Sequence, residues 1–322
     1  MKTFKKICRK DQYTLKGWLY KLLKAKYKEV VNEDGFLYAK GDGKSPILLT
    51  AHMDTVHKET CKDIKVTKVK EGTKIWSPQG IGGDDRCGIW MIWMVLCRTK
   101  YRPSILFCED EEIGGIGSDK FVKTDYIDDL TELKYLVELD RAHNKDAVYY
   151  SCDNLDFKDY IRTTIGYEEA YGSFSDISNL SPYCDKASVN LSCGYYNAHT
   201  LEEYVIYEEM YSTFKQVKKL LANAKECDTY DYQEETWWSD RWAINDSWYG
   251  YGYSGTKGKY SIGNTTKTYE IVFNDEDGTE NSDFLEANTI EEALGKFFFE
   301  HVNTCYNDII DYFVITDYEE VI

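Results

Sequence analysis

At 322 residues the chain has room for one good-sized domain and a small one. A formal charge of −17 argues against nucleic acid as a partner, because phosphates would be repelled. No stretch approaches the roughly 20 apolar residues of a membrane span, and no apolar run follows the opening lysines, so no membrane partner and a cytoplasmic location are expected.

The ten cysteines are scattered singly, with no C-x-x-C pair, which suits free thiols in a reducing compartment. The acid is unevenly spread. Residues 226–322 hold 5 Lys and Arg against 22 Asp and Glu, whereas residues 1–225 hold 34 of each. That shift predicts a boundary near residue 225. An acidic surface by itself serves solubility.

In chain order, residues 12–27 read as an amphipathic helix, and residues 28–40 as a hairpin turning at Asn-Glu-Asp-Gly. Ile47 to Thr50 is a short apolar run, the mark of a buried strand. Ile-Gly-Gly-Asp-Asp-Arg-Cys-Gly then leads into a buried helix, Ile89 to Leu96. Further buried strands are predicted at Ser104 to Phe107, Leu133 to Leu139 and Ser188 to Leu191. A long helix is predicted from about Leu201 to Ala222, with Thr200 and Glu203 as its T-x-x-E capping box.

This alternation predicts an α/β fold, a mixed sheet sandwiched by helices, over residues 1–225. Residues 226–262, rich in Tyr and Trp, read as a linker or a packed irregular segment. Residues 263–322 read as a small acidic ββαβ module: two strands from Lys267 to about Ala287, a helix capped by Thr289 and Glu292, and a closing strand at Tyr-Phe-Val-Ile-Thr. That acidic module is the place where a protein partner is expected.

Five acidic or histidine-bearing segments fall just after the predicted strands or before a helix. They are Ala51 to Val56, Gly82 to Gly88, Glu109 to Gly114, Glu138 to Asp140 and Asn197 to His199. In open α/β sheets, sites form outside the carboxyl ends of the strands. Alone, Asp84-Asp85 reads as an acidic helix start, Glu109 to Glu112 as an acidic loop, and a single histidine as an ordinary surface or core residue. Together they supply two imidazoles and several carboxylates, the ligand chemistry that zinc prefers.

In order and spacing these segments resemble the co-catalytic zinc exopeptidases, the group that includes peptidase T, glutamate carboxypeptidase and the di-zinc aminopeptidases. The matching pieces are T-A-H-M-D-T-V at Thr50 to Val56, G-D-D-R-C-G at Gly83 to Gly88, E-D-E-E-I-G at Glu109 to Gly114, Asp140 after a strand, and N-A-H at Asn197 to His199. The span Thr50 to Glu203, about half the chain, carries the resemblance.

The resemblance implies two zinc ions, for which cobalt or manganese could substitute. It makes Asp84 the bridging carboxylate, with His52 and Asp140 completing one site and Glu112 and His199 the other. It makes Asp54 the residue that orients His52, and Glu111 the general base acting on a metal-bridging water. It favours Asp84 over Asp85 as the bridge, because Gly88 follows Asp84 by four residues. It also sets Ser175-Asp176 beside a substrate-side loop, although a Ser/Asp turn explains that pair equally. Arg141 has two readings, a substrate-carboxylate contact or a salt bridge to neighbouring acids, and the second is favoured.

Many such enzymes carry an inserted lid or dimerisation domain. Here 58 residues separate Asp140 from His199 and 31 separate His52 from Asp84, too few for one. The function that follows is an exopeptidase, an aminopeptidase or small-peptide peptidase. The alternatives are a deacylase of N-acyl amino acids on the same fold, or a degenerate relative that acts by binding.

Overall fold

The structure is a computed structural model; it describes residues 1–234 and, beyond them, three strands at 267–274, 280–287 and 314–321. The chain divides into two compact units, Met1–Ile244 and Asn245–Ile322.

The first unit opens with α1 (Lys2–Cys8), α2 (Gln12–Lys24) and the hairpin β1 (Val30–Glu33) and β2 (Phe36–Ala39). Next come β3 (Leu48–His52), the hairpin β4 (Lys65–Val69) and β5 (Gly72–Trp76), and α3 (Gly83–Arg98). These lead to β6 (Ser104–Cys108), α4 (Ile116–Phe121), α5 (Asp128–Thr131), β7 (Leu136–Arg141) and β8 (Asp146–Val148). The unit continues with α6 (Leu155–Ile165), β9 (Glu168–Ala170), α7 (Asp176–Cys184) and β10 (Ser188–Ser192). The hairpin β11 (Tyr195–Tyr196) and β12 (Tyr204–Ile206) then precedes α8 (Tyr207–Asn223).

Eight strands form one sheet in the order β1-β2-β6-β3-β7-β10-β8-β9. Its centre, β6-β3-β7-β10, is parallel; β1 and β2 pair antiparallel with their neighbours, and β8 pairs antiparallel with β10 but parallel with β9. The sheet is mixed, as expected from the alternation of elements. Side chains alternate between two cores because successive residues of a strand point to opposite faces. Leu37, Leu49, Ala51, Ile105, Phe107 and Val137 pack with α1, α2, α3, α6 and α8. Phe36, Tyr38, Leu48, Leu106 and Leu136 pack with α4, α5 and α7. Helices therefore cover both faces.

Local signals explain the individual elements. Asp11 caps α2, its carboxylate accepting from the Thr14 amide at 2.7 Å, and Leu15, Leu19 and Leu23 form the buried stripe one turn apart. The helix ends at Lys24, short of residue 27. Gly35, at φ +96°, turns the β1–β2 hairpin. Gly88 lets the start of α3 lie on β7: a Cβ there would stand 2.1 Å from the Leu139 carbonyl oxygen.

The chain runs from β3 to β6 on one side and then crosses to β7 on the other. That reversal of strand order opens a crevice at the carboxyl end of β3, where ligands bind in open α/β sheets. His52 is the last residue of β3.

A second, antiparallel sheet has the order β11-β12-β5-β4. It corrects one expectation. Residues 204–206 form a strand that pairs Tyr204 with Trp76, and the long helix begins only at Tyr207. Thr200 and Glu203 are no capping box. The Thr200 hydroxyl donates to the Asn197 carbonyl, and Glu203 is buried with its carboxylate on Gly82, Asp84 and His57. Tyr204, Val205 and Ile206 are strand-favouring residues that extend the edge of β5.

Past residue 225 the chain still packs on the first unit. Tyr230 joins its core, the Asp153 amide donates to the Gln233 carbonyl, and Cys152 bridges Glu234. In the second unit, β13 (Lys267–Asn274) pairs antiparallel with β14 (Glu280–Ala287) and with β15 (Val314–Val321). The helix expected after Thr289 lies outside the described residues. Among those residues, no helix is long and apolar enough to cross a membrane.

Candidate metal centre

Five separate segments converge at the crevice. His52 arrives on β3, Asp84 at the start of α3, Glu111 and Glu112 just after β6, and Asp140 near the end of β7. His199 sits in the β11–β12 loop at φ +63°. The imidazole Nε2 of His52 lies 2.9 Å from Asp84 Oδ1 and 3.4 Å from Asp140 Oδ1. His199 Nε2 lies 3.2 Å from Asp84 Oδ2 and 3.0 Å from Glu112 Oε2. Asp84 thus offers one carboxylate oxygen to each imidazole. Donor atoms of His52, Asp84 and Glu112 all lie within 4.8 Å of one another.

Asp85 points elsewhere. Its Oδ1 accepts from the Gly88 amide at 2.8 Å and its Oδ2 from the His52 amide at 3.3 Å. The adjacent acids therefore divide the work, one facing the histidines and the other pinning the helix start to β3. The peptide bond between them is cis.

Asp54 ties the pieces together. Its Oδ1 lies 3.1 Å from His52 Nδ1, which leaves Nε2 facing the other donors. The same carboxylate accepts from the amides of Glu111 at 3.1 Å and Glu112 at 3.0 Å. Asp140 is held by Ser175, whose hydroxyl donates to Oδ2 at 3.2 Å, and by its own amide on Asn190 Oδ1 at 2.9 Å. Ser175 is also the N-cap of α7, in a capping box with Ser178. Its neighbour Asp176 is fully buried. Arg141 has Nε 3.5 Å from Asp146 Oδ2, the salt-bridge reading of that residue.

The electrostatics are those of a centre short of positive charge. Burial pushes the Asp140 carboxyl well up, and the Asp84 charge adds to it. Burial likewise pushes Glu111 up to about 9, opposed by His52 and reinforced by Asp140, Asp176 and Asp84. Burial would raise Asp84 too, but hydrogen bonds from His199 and His52 hold it well below the usual carboxylate range. Burial would pull His52 down, yet Asp140, Asp54 and Asp84 outweigh it and raise it. Hydrogen bonds to Asp84 and Glu112 push His199 up to about 11.

Glu112 Oε1 and Asp140 Oδ1 are among the described buried side-chain atoms without a hydrogen-bond partner, as are Glu138 Oε1 and both carboxylate oxygens of Asp176. An unsatisfied buried carboxylate oxygen is costly. Asp140 Oδ1 lies beside His52 Nε2, and Glu112 reaches His199 Nε2 through its other oxygen, Oε2; a pair of divalent cations would satisfy the free oxygens of both carboxylates. The residues present fit two zinc ions in number and in donor type.

Two residues of the surroundings escaped the sequence reading. His57 and Glu203 form a close pair, with Nε2 2.7 Å from Oε2, and Glu203 binds the backbone of the Asp84 segment. Nothing in a lone histidine or in a T-x-x-E tetrad distinguishes such a pair. The paired Gly82-Gly83 was the one available signal, since glycine permits close approach of the backbone.

No family model and no curated protein matches the sequence. Solved structures do match the fold. A tripeptidase from Staphylococcus aureus superposes with a TM-score of 0.56 at 14% identity, over 70% of this chain and 98% of that one. Aminopeptidase PepT from Bacillus cereus gives 0.56 at 16%, over 69% and 97%. An aminopeptidase from the archaeon Desulfurococcus kamchatkensis gives 0.51 at 13%, over 71% and 95%. The chain therefore shares the fold of these peptidases, a mixed sheet between helices.

Proposed function

We propose that the protein is a zinc-dependent exopeptidase acting on short peptides, with His52 and Asp140 at one ion, Glu112 and His199 at the other, and Asp84 shared. The convergence of His52, Asp140, Glu112 and His199 around Asp84, with two buried oxygens left unpartnered, carries this reading. The peptidases of the same fold support it.

Two zinc ions would polarise the scissile carbonyl and favour deprotonation of the attacking water at neutral pH. The remaining work belongs to the chain. Asp54 fixes the His52 ring, and through two amide hydrogen bonds it also fixes the backbone of Glu111 and Glu112. Glu111 takes the proton of the attacking water and passes it to the leaving amine. Among the described residues no donor hydrogen-bonds its carboxylate, which keeps that group free for substrate. Beside bound divalent cations Glu111 would be held in the carboxylate form that this role needs, because they would reverse the local charge balance.

A cytoplasmic location is part of the proposal and is supported by the nine described cysteines, all free. Elemental analysis of protein purified without chelator is expected to give two zinc ions per chain. A panel of aminoacyl and N-acyl substrates is expected to show release of free N-terminal residues. Turnover of N-acyl substrates alone would move the assignment to a deacylase, and a folded chain with no zinc affinity would end it.

A further inference from the structure

Glu203 is 1% exposed, and its carboxylate is fully engaged. Oε2 accepts from the Gly82 amide at 2.8 Å and lies 2.7 Å from His57 Nε2, while Oε1 accepts from the Asp84 amide at 3.0 Å. Each partner belongs to a segment that also carries a donor of the centre. His57 lies on the loop that follows His52 and Asp54. Gly82 is the N-cap of α3 and Asp84 lies in its first turn. Glu203 itself shares the β11–β12 loop with His199.

The packing at this junction is close. A Cβ on Gly83 would come within 2.8 Å of Tyr195 Cβ, 2.9 Å of Val205 Cγ2 and 3.2 Å of Glu203 Oε1. The Asp84 segment therefore lies directly on the hairpin that holds His199. A buried carboxylate is tolerated only where its hydrogen bonds are made, so this junction has one well-satisfied arrangement.

We propose that Glu203 is a positioning residue of the metal centre: it grips the Gly82 and Asp84 amides, aims the Asp84 carboxylate between His52 and His199, and locks the His199 loop to the same point. It touches neither substrate nor ion. The inference rests on the two-zinc reading, and it concerns how the shared carboxylate is held. Residues that orient metal ligands in this way typically change metal affinity or activity by about 10–100-fold when replaced.

The test is zinc affinity by chelator competition, together with the visible spectrum of the cobalt-substituted protein, on wild type, Glu203→Gln and Glu203→Asp. Glutamine offers one acceptor oxygen where glutamate has two, so one amide loses its partner. Aspartate keeps the charge but shortens the reach. Making both secures a readout in a folded variant. Zinc is expected to bind about 10–100-fold more weakly, with an altered cobalt spectrum and a fall in kcat at nearly constant KM. A purely structural role would lower the metal-free melting temperature and leave affinity, spectrum and kcat of the folded protein at wild-type values; that result overturns the proposal. A wild-type chain that binds no zinc would overturn the metal reading itself, and the inference with it, so the two failures are told apart.

Discussion

The two halves of the centre are built in opposite ways. His52 ends a core strand, is 0% exposed, and has carboxylates of Asp54, Asp84 and Asp140 around its ring. His199 sits on a left-handed turn of a hairpin loop with its side chain 56% exposed. Both imidazoles lie against the Asp84 carboxylate, yet one is carried by the sheet and the other by the loop that also holds Glu203. The contrast suggests that the His52 half is set when the sheet forms, whereas the His199 half depends on loop contacts.

The largest expected effect lies between the halves. Glu111→Gln should keep zinc and fold but lose about 100- to 10,000-fold in kcat, measured by steady-state hydrolysis with metal content checked. An unchanged kcat would give the proton transfer to another group, Glu112 included.

The histidines themselves should separate in stability. In metal-free protein His52→Ala leaves buried carboxylates uncompensated and should cost about 3–5 kcal/mol, whereas His199→Ala removes a half-exposed partner and should cost about 0–1 kcal/mol. Urea unfolding of both variants measures this. Equal losses would erase the distinction between a sheet-fixed and a loop-fixed half. In both variants zinc binding should weaken.

Proton linkage sharpens the same contrast. Glu111, pushed up to about 9, and His199, pushed up to about 11, each bind a proton more tightly in the folded metal-free chain than in the unfolded one. Each therefore contributes stability that is present below its unfolded pKa and lost as pH rises towards the folded value. The Asp54 and Asp84 carboxyls are lowered and titrate below this window. Metal-free protein should thus lose melting temperature between about pH 5 and 9, and zinc affinity should rise over the same range as protons are displaced. Melting scans and titrations at several pH values test it; a metal-free curve that climbs with pH would contradict the assignment.

The smallest effect is expected at the other end of the molecule. We propose that the unit beyond residue 262 is dispensable for catalysis, so a chain ending there should fold, bind zinc and hydrolyse peptides at near wild-type rates. Loss of hydrolysis with zinc still bound would make residues 263–322 part of the active site. An ending before residue 226 is a different matter, since it removes Tyr230 from the core and should lower the melting temperature by several degrees.

Much of this was legible in the residues. The apolar runs at Ile47, Ser104 and Ser188 marked the parallel centre of the sheet, because strands covered on both faces read as continuous hydrophobic stretches. The donor-bearing segments stood out because acids and histidines followed those runs. What stayed hidden has a physical reason. Strand β4 is exposed along its length, and β8, β9 and β12 are only three residues each, with partners such as β10 and β5 far away in sequence. Glu203 looked like a helix cap because local spacing cannot report that a side chain is spent on residues 82 and 84. Helices α6 and α7 lay in a stretch whose periodicity went unread, although Asn154 caps the first with its side chain on the Phe157 amide.

The five residues that meet at the crevice are spread from 52 to 199, and the hairpin carrying the last of them pairs with β5, more than a hundred residues earlier. A chain still emerging from the ribosome therefore has no assembled centre until its two-hundredth residue or so is clear of the exit tunnel. Domains fold as units during synthesis. On the proposed reading, hydrolytic power would then switch on late and all at once, and truncated products of interrupted translation would be inert towards the peptides around them.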